Sequence, residues 1–322
     1  MKRRSVLAAS ALAIVPRAGR AQAFPDRPVR FIVPYAPGGS TDTSARIAAE
    51  KLAQILGQPV VVENKAGGGT IIGTEFVARA KPDGYTMLLS PAAMIANAAF
   101  GVKVPYDIDK DLAPVLGFVD LAVLLAAAND APFKSVAELI AYAKADPMRT
   151  IPYASAGVGS LTHLWGEYVK ARTKLPLEHV GYKGSAEALK DVIAGHVPLF
   201  SDVLVPTAAS IRAGKVRGLA VATRERVSLL PDVPTVAEAG LPGTECTVPF
   251  GVAVPGGTPR EIVVRLNAAF NQALADPAIR HRLTELGFLP VGGPPEAYSE
   301  MVAREVVKWR LVIKDSNIPA PN

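Results

Sequence analysis

The stretch that most constrains this chain is Phe31-Ile32-Val33-Pro34-Tyr35-Ala36-Pro37-Gly38-Gly39-Ser40-Thr41-Asp42-Thr43-Ser44-Ala45-Arg46, which reads as strand, tight turn, helix. Val29 and Phe31–Val33 form a short apolar run suited to a buried strand. Pro34 and Pro37 end it, and Gly38-Gly39 allow a sharp turn and a close approach to another molecule. Ser40, Thr41 and Asp42 are candidate N-caps. Ala45, Ala48, Leu52, Ile55 and Leu56 follow at helical spacing until Gly57. A glycine turn feeding a helix N-terminus presents free N–H donors at the positive end of the helix dipole. Such a turn suits phosphate or carboxylate.

The chain in order repeats this unit. Val60–Glu63 is a β-branched run, followed by Gly67-Gly68-Gly69 and a helix carrying Ile71, Ile72, Phe76 and Val77. Pro82-Asp83-Gly84 is a turn, and Tyr85–Leu89 is a strand ending at Ser90-Pro91. Alternating βα units predict a parallel, doubly wound sheet, with ligands beyond the carboxyl ends of its strands. Residues 97–112 read as irregular. Leu112–Val119 and Leu121–Ala127 are adjacent apolar runs, expected where the chain crosses from one lobe to another near residues 120–128.

A second α/β set follows. Ser135-Val136-Ala137-Glu138 is a capping box, and Thr150–Ala154 is a strand. Ser155-Ala156-Gly157-Val158-Gly159-Ser160 is a second glycine turn into a helix with Leu161, Leu164, Trp165 and Val169. Leu177–Val180 is a strand, followed by a helix over 185–194. Strand Val197–Phe200 ends at Ser201-Asp202, a helix spans 206–213, and Val216–Thr223 is a strand. Cys246–Val254 reads as the return crossing, with helices over 258–275, 277–286 and 294–314. The expected division is lobe 1 at 24–124 and 247–322, and lobe 2 at 125–246. The fold class is therefore α/β, two doubly wound lobes joined by two crossing strands, with a glycine turn of each lobe facing a cleft.

Residues 1–23 read as an export signal. Lys2, Arg3 and Arg4 precede the apolar run Val6–Val15, and Ala21-Gln22-Ala23 is a cleavage site that starts the mature chain at Phe24. Both general secretory and twin-arginine export fit. The signal holds Lys2, Arg3, Arg4, Arg17 and Arg20 and no acid, so the +6 of the 322-residue chain falls to +1 without it. That balance argues against nucleic-acid and membrane-surface binding. No later apolar run reaches transmembrane length. Cys246 is the only cysteine, which excludes an intrachain disulfide and a cysteine-based metal cluster.

Enzyme motifs do not match. There is no G-x-S-x-G elbow and no Walker sequence, and His163, His179, His196 and His281 lack metal-ligand spacing. Ser160 and His163 share one helix and have no third orienting group, so they do not make a triad. Gly67, Gly69 and Gly73 do not open the first βα unit, and no acid ends the next strand, which argues against a dinucleotide site. No metal and no cofactor is expected.

The ordered blocks resemble the Bug family, periplasmic receptors of tripartite tricarboxylate transporters. They are Ile32–Arg46, Glu63–Gly69, Lys81–Thr86, Tyr153–Ser160, Tyr182-Lys183-Gly184, Ile211–Arg217 and Leu230–Thr235. The resemblance implies a type II periplasmic-binding-protein fold, a Venus flytrap that closes on a small organic acid. It also implies two integral membrane subunits as partners and a monomeric receptor in the periplasm. A sensor subunit for a membrane kinase and an exported α/β hydrolase or isomerase are the alternatives.

Gly38, Gly39, Ser40 and Thr41 are the candidate carboxylate holders of lobe 1, and Ser155, Gly157, Gly159, Ser160 and Thr162 those of lobe 2. Asp42 has the wrong sign for a carboxylate. It caps the helix, fixes the loop, or accepts from a ligand amine or hydroxyl. His163 lies one helical turn in, as a packed residue or a ligand contact. Tyr35 and Ser90 sit at strand ends expected to face the cleft. Lys183 pairs with a carboxylate or stays solvated, and Asp202 orients a ligand donor or a water. Val158 makes its corner more apolar, which favours a ligand with some hydrophobic surface.

Overall fold

The computed structural model describes residues 24–146 and 148–320, so the expected export signal and the expected cleavage after Ala23 lie outside the described residues. The chain first lays down β1 (Val29–Val33), α1 (Ser40–Leu56), β2 (Val60–Asn64), α2 (Ile71–Ala78), β3 (Thr86–Ser90), α3 (Ala93–Phe100) and α4 (Ile108–Asp111). A 17-residue strand, β4 (Leu112–Ala128), leads away from them. Then come α5 (Val136–Lys144), β5 (Ile151–Ala154), α6 (Leu161–Thr173), β6 (Leu177–Val180), α7 (Ser185–Ile193), β7 (Leu199–Val203), α8 (Leu204–Arg212) and β8 (Val216–Val221). The chain ends with β9 (Thr247–Pro255), α9 (Arg260–Ala275), α10 (Pro277–Glu285), β10 (Phe288–Gly292) and α11 (Pro295–Asp315).

The strands run in the order β2-β1-β3-β9-β4-β7-β5-β6, with β8 and β10 also paired to β4. Each lobe keeps a parallel trio: β2, β1 and β3 in the first, β6, β5 and β7 in the second. Phe31–Val33 and Met87–Leu89 are fully buried, as strands covered by helices on both faces must be. Between the trios, β9 and β4 are antiparallel to their neighbours, so the sheet is mixed rather than wholly parallel.

β4 is the shared element. Its residues 112–122 pair with β9, and Val123–Ala127 pair with β7. The two apolar runs are thus one unbroken strand, continuous through Asp120. The Asp120 carboxylate accepts the Thr247 Oγ1 hydrogen bond from β9 at 2.7 Å, so a polar group inside the strand has a partner. One core lies in the first lobe around Phe31, Met87, Phe118, Phe250 and Phe270. Another joins Trp165 of α6 to Trp309 of α11 and to α3. α11 therefore packs across both halves, against α3 at one end and α6 at the other.

Several expected boundaries shift. Residues 97–112 are not wholly irregular: α3 continues to Phe100, and Asp107 caps α4 by accepting from the N–H groups of Asp109 and Lys110. β10 had no counterpart in the sequence reading, because Pro290 and Gly292 hide its period and only antiparallel pairing to β4 makes it a strand. β7 begins and ends later than expected, so Ser201 and Asp202 lie inside it. α8 starts at Leu204, two residues early.

Candidate functional site

The turn after β1 is built as its sequence suggests, but its cap is Gly39, not Ser40, Thr41 or Asp42. Gly38 has φ +83, a left-handed conformation that glycine adopts without a Cβ penalty. Asp42, buried in the first turn of α1, reaches back over the loop. Its Oδ2 accepts the Gly38 N–H at 2.9 Å and Arg46 Nε at 2.9 Å. Its Oδ1 accepts Asn64 Nδ2 at 2.9 Å, and the same amide donates to the Tyr35 carbonyl at 3.1 Å. Burial alone would raise the Asp42 carboxyl, but hydrogen bonds from Arg46, Gly38 and Asn64 hold it below the usual carboxylate range. Of the open alternatives, its oxygens take the loop-fixing role. The N–H groups of Ser40, Thr41 and Asp42 have no acceptor among the described residues, so this helix N-terminus keeps three open donors.

The turn after β5 is held differently. Ser160 caps α6, its Oγ accepting the His163 N–H at 3.2 Å and donating to the Gly157 carbonyl at 2.7 Å. Thr162 Oγ1 lies 3.0 Å from Ser160 Oγ and accepts the Ala156 N–H at 3.4 Å. The Gly157 N–H donates to Ser155 Oγ at 3.2 Å, and the Gly159 N–H to His163 Nδ1 at 3.1 Å. Ser155 Oγ also meets His179 Nε2 at 2.8 Å. The rings of His163 and His179 stack at 3.8 Å. Burial is the main cause that pushes both down to about 4, so both are neutral at pH 7. Because Nδ1 of His163 accepts, its proton is assigned to Nε2. The glycine N–H groups expected to meet a ligand are thus spent inside the loop. The open donors are the N–H groups of Leu161 and Thr162, which have no acceptor among the described residues.

The remaining candidates fall into different settings. Tyr35 is half-buried, edge-on to Phe250 at 6.1 Å, and burial keeps its phenol protonated far above neutrality. Ser90 is buried and committed internally: its Oγ accepts from Tyr298 OH at 3.0 Å and donates to Met94 Sδ at 3.5 Å. It lines a cavity of about 400 Å³ between α3, α4 and α11, which touches neither glycine turn. Lys183 is exposed, and its N–H pairs with Glu187 Oε2 at 3.3 Å. Asp202 is 1% exposed; Oδ1 accepts the Val203 N–H at 2.6 Å, and Oδ2 has no partner. Burial pushes this carboxyl up to about 6.

Asn64, His179, Ser201 and Tyr298 were not foreseen. Asn64 stands 22 residues from Asp42, and Tyr298 stands 208 from Ser90, separations that no local pattern bridges. Ser201 Oγ donates to the Thr162 carbonyl at 2.7 Å and ties β7 to the second turn. Among the described residues, no group of three His, Cys, Asp or Glu side chains is placed to hold a metal ion.

The model of the tripartite tricarboxylate transporter family receptor matches residues 44–318. A protein from the tcbD-tcbE intergenic region of Pseudomonas sp. is 40% identical over 99% of this chain and 96% of its own length. A Rhodopseudomonas palustris structure with adipate superposes with a TM-score of 0.80 at 36% identity, covering 92% of this chain and 99% of that one. MatC from the same organism, with bound malate, gives 0.74 at 35% identity, covering 90% and 100%. The fold defines a two-lobed solute-binding receptor of the periplasmic type. The chain belongs to the tripartite tricarboxylate transporter receptor family.

Proposed function

We propose that this receptor captures a dicarboxylate of four to six carbons between the turn at Gly38–Asp42 and the turn at Ser155–His163. The observation that carries the reading is the pair of helix N-termini, α1 and α6, each with open N–H donors. Two such ends suit a molecule with a carboxylate at each end. The relatives solved with adipate and malate support that ligand class. The lobes divide at β4 and β9, in the neighbourhood of residues 124 and 247, and close by bending there. Closure is driven by contacts that only the closed form makes. The exported, monomeric receptor then delivers its ligand to two integral membrane subunits.

Thermal unfolding against a panel of organic acids tests the reading. A dicarboxylate at 100 times its dissociation constant stabilises the protein by about 2.7 kcal/mol. No stabilisation by any acid of the panel refutes it. Equal stabilisation by inorganic phosphate refutes the carboxylate assignment.

A further inference from the structure

We propose that Asp202 meets the bound anion as a protonated carboxyl, so that capture takes up one proton from solvent together with one dicarboxylate. This rests on the reading that the turns bind a carboxylate. β7 lies between β4 and β5, and Phe200 pairs with Ala154. Two residues further on, Asp202 is therefore level with the turn that starts at Ser155. Ser201 points to α6, through its bond to the Thr162 carbonyl, so strand alternation turns Asp202 to the opposite face with Phe200. That face packs under α7, whose Ala188 and Val192 join Phe200 in one core. Ser185, the first residue of α7, turns its hydroxyl toward the carboxyl and, with the Val203 N–H, partly offsets the rise that burial causes. The N–H groups of Ser185, Ala186 and Glu187 have no acceptor among the described residues. Asp202 Oδ2 is thus an unpartnered buried oxygen beneath a third open helix N-terminus, on the edge of the sheet that carries the second turn.

A buried carboxylate supported by little more than the Val203 N–H and the nearby Ser185 hydroxyl is costly, and a ligand anion brought to the same edge adds like-charge repulsion. Protonation resolves both. The proton comes from solvent onto Oδ2, and that O–H then donates to a ligand carboxylate oxygen, a short charge-assisted bond. Burial, which pushes this carboxyl up to about 6, leaves Asp202 ready to take that proton.

Other ionisable groups do not account for the same behaviour. On α7 and the loop before it, Lys183 and Glu187 are exposed, and Tyr182, raised to about 12, pairs with Asp191 at 2.8 Å. On β4, burial also raises the Asp120 carboxyl, but its partner is Thr247 of β9 and it lies four residues before Leu124, the residue that pairs with Asp202. On the α6 face, His163 and His179 sit at about 4 and stay neutral above pH 6. α8 brings no charged residue within Leu204–Ile211. None of these side chains hydrogen-bonds Asp202.

Calorimetric titration with adipate from pH 6.0 to 8.5, in two buffers of different ionisation enthalpy, tests the proposal. Adipate is fully ionised through most of this range, so the protein supplies the pH dependence. The dissociation constant is expected to rise about tenfold per pH unit above pH ~6.5, with uptake of about one proton. In Asp202→Asn, a neutral donor of the same shape, affinity becomes independent of pH and proton uptake disappears. Binding that is flat with pH and takes up no proton in the unaltered protein overturns the proposal and leaves the receptor reading intact. A slope retained in Asp202→Asn also overturns it. No binding at any pH overturns both.

Discussion

The turn after β1 and the turn after β5 deliver the same product, a helix N-terminus with open donors, but they are braced by different chemistry. In the first, an ionised Asp42 draws in Gly38, Arg46 and Asn64. In the second, two neutral imidazoles and three hydroxyls close the loop on itself. The first brace relies on a carboxylate whose own charge opposes the anion, so it must be fully neutralised by its partners. The second relies on buried neutral groups, so it is the one that acid disturbs. On the proposed reading, the ligand lies between a turn stiffened by charge and a turn stiffened by packing.

The two turns differ most in their glycines. A Cβ at Gly157 (φ +133) would lie 2.7 Å from the Tyr182 carbonyl oxygen, whereas one at Gly38 (φ +83) meets nothing within 4 Å. Gly157→Ala is expected to cost about 2–3 kcal/mol in denaturant unfolding, and Gly38→Ala about 1 kcal/mol. Equal costs would show that the second turn yields as easily as the first.

Acid sharpens the contrast next. His163 and His179 sit at about 4 when folded, against about 6.5 unfolded, so the unfolded chain binds more protons between these values. Their contribution is full above pH ~6.5 and is lost as pH falls toward 4. Asp202, raised to about 6, acts in the opposite sense: its contribution is present below pH ~4 and is lost as pH rises through 6. For these three groups the slope between pH 4 and 6 is about one proton, at most about 1.4 kcal/mol per pH unit, with stability rising with pH, and the raised Asp120 reduces it. In Asp202→Asn the slope approaches two protons. Asp42, held low, loses its contribution only as pH falls below about 4, through its folded value. Urea unfolding at half-unit steps of pH reads all three; a flat profile from pH 6 to 4 removes the histidine brace.

Asp42→Asn is expected to cost about 1–2 kcal/mol in urea unfolding, since it breaks the charge-assisted bonds to Arg46 and Gly38 while keeping the shape. It also weakens ligand binding through the loop. Tighter binding in this variant would show that charge repulsion, not bracing, dominates at that turn. The smallest effect belongs to Lys183→Ala. This exposed side chain makes no bond within the described residues, so stability stays within about 0.5 kcal/mol. A large loss of affinity there would make the second lobe's grip electrostatic as well.

The local chemistry was legible in the chain itself. Strand, glycine turn and helix at Phe31–Arg46, and the same unit at Thr150–Val169, follow from apolar period, prolines that stop strands and glycines that bend them. These are short-range properties, decided within a few residues. The doubled βα pattern also pointed to two α/β lobes, and the ordered motifs to the receptor family. Tertiary structure decided what the turns do with their polar atoms. Asp42 became a brace because β2 carries Asn64 alongside it, and Ser155 found His179 on β6 across the sheet. Hydrogen-bond partners 22 to 208 residues apart leave no trace in local period, because the sheet, not the chain, makes them neighbours. The same holds for Asp202: its sequence shows a polar residue near a strand end, and only the packing of α7 over β7 leaves one of its oxygens buried and unpaired.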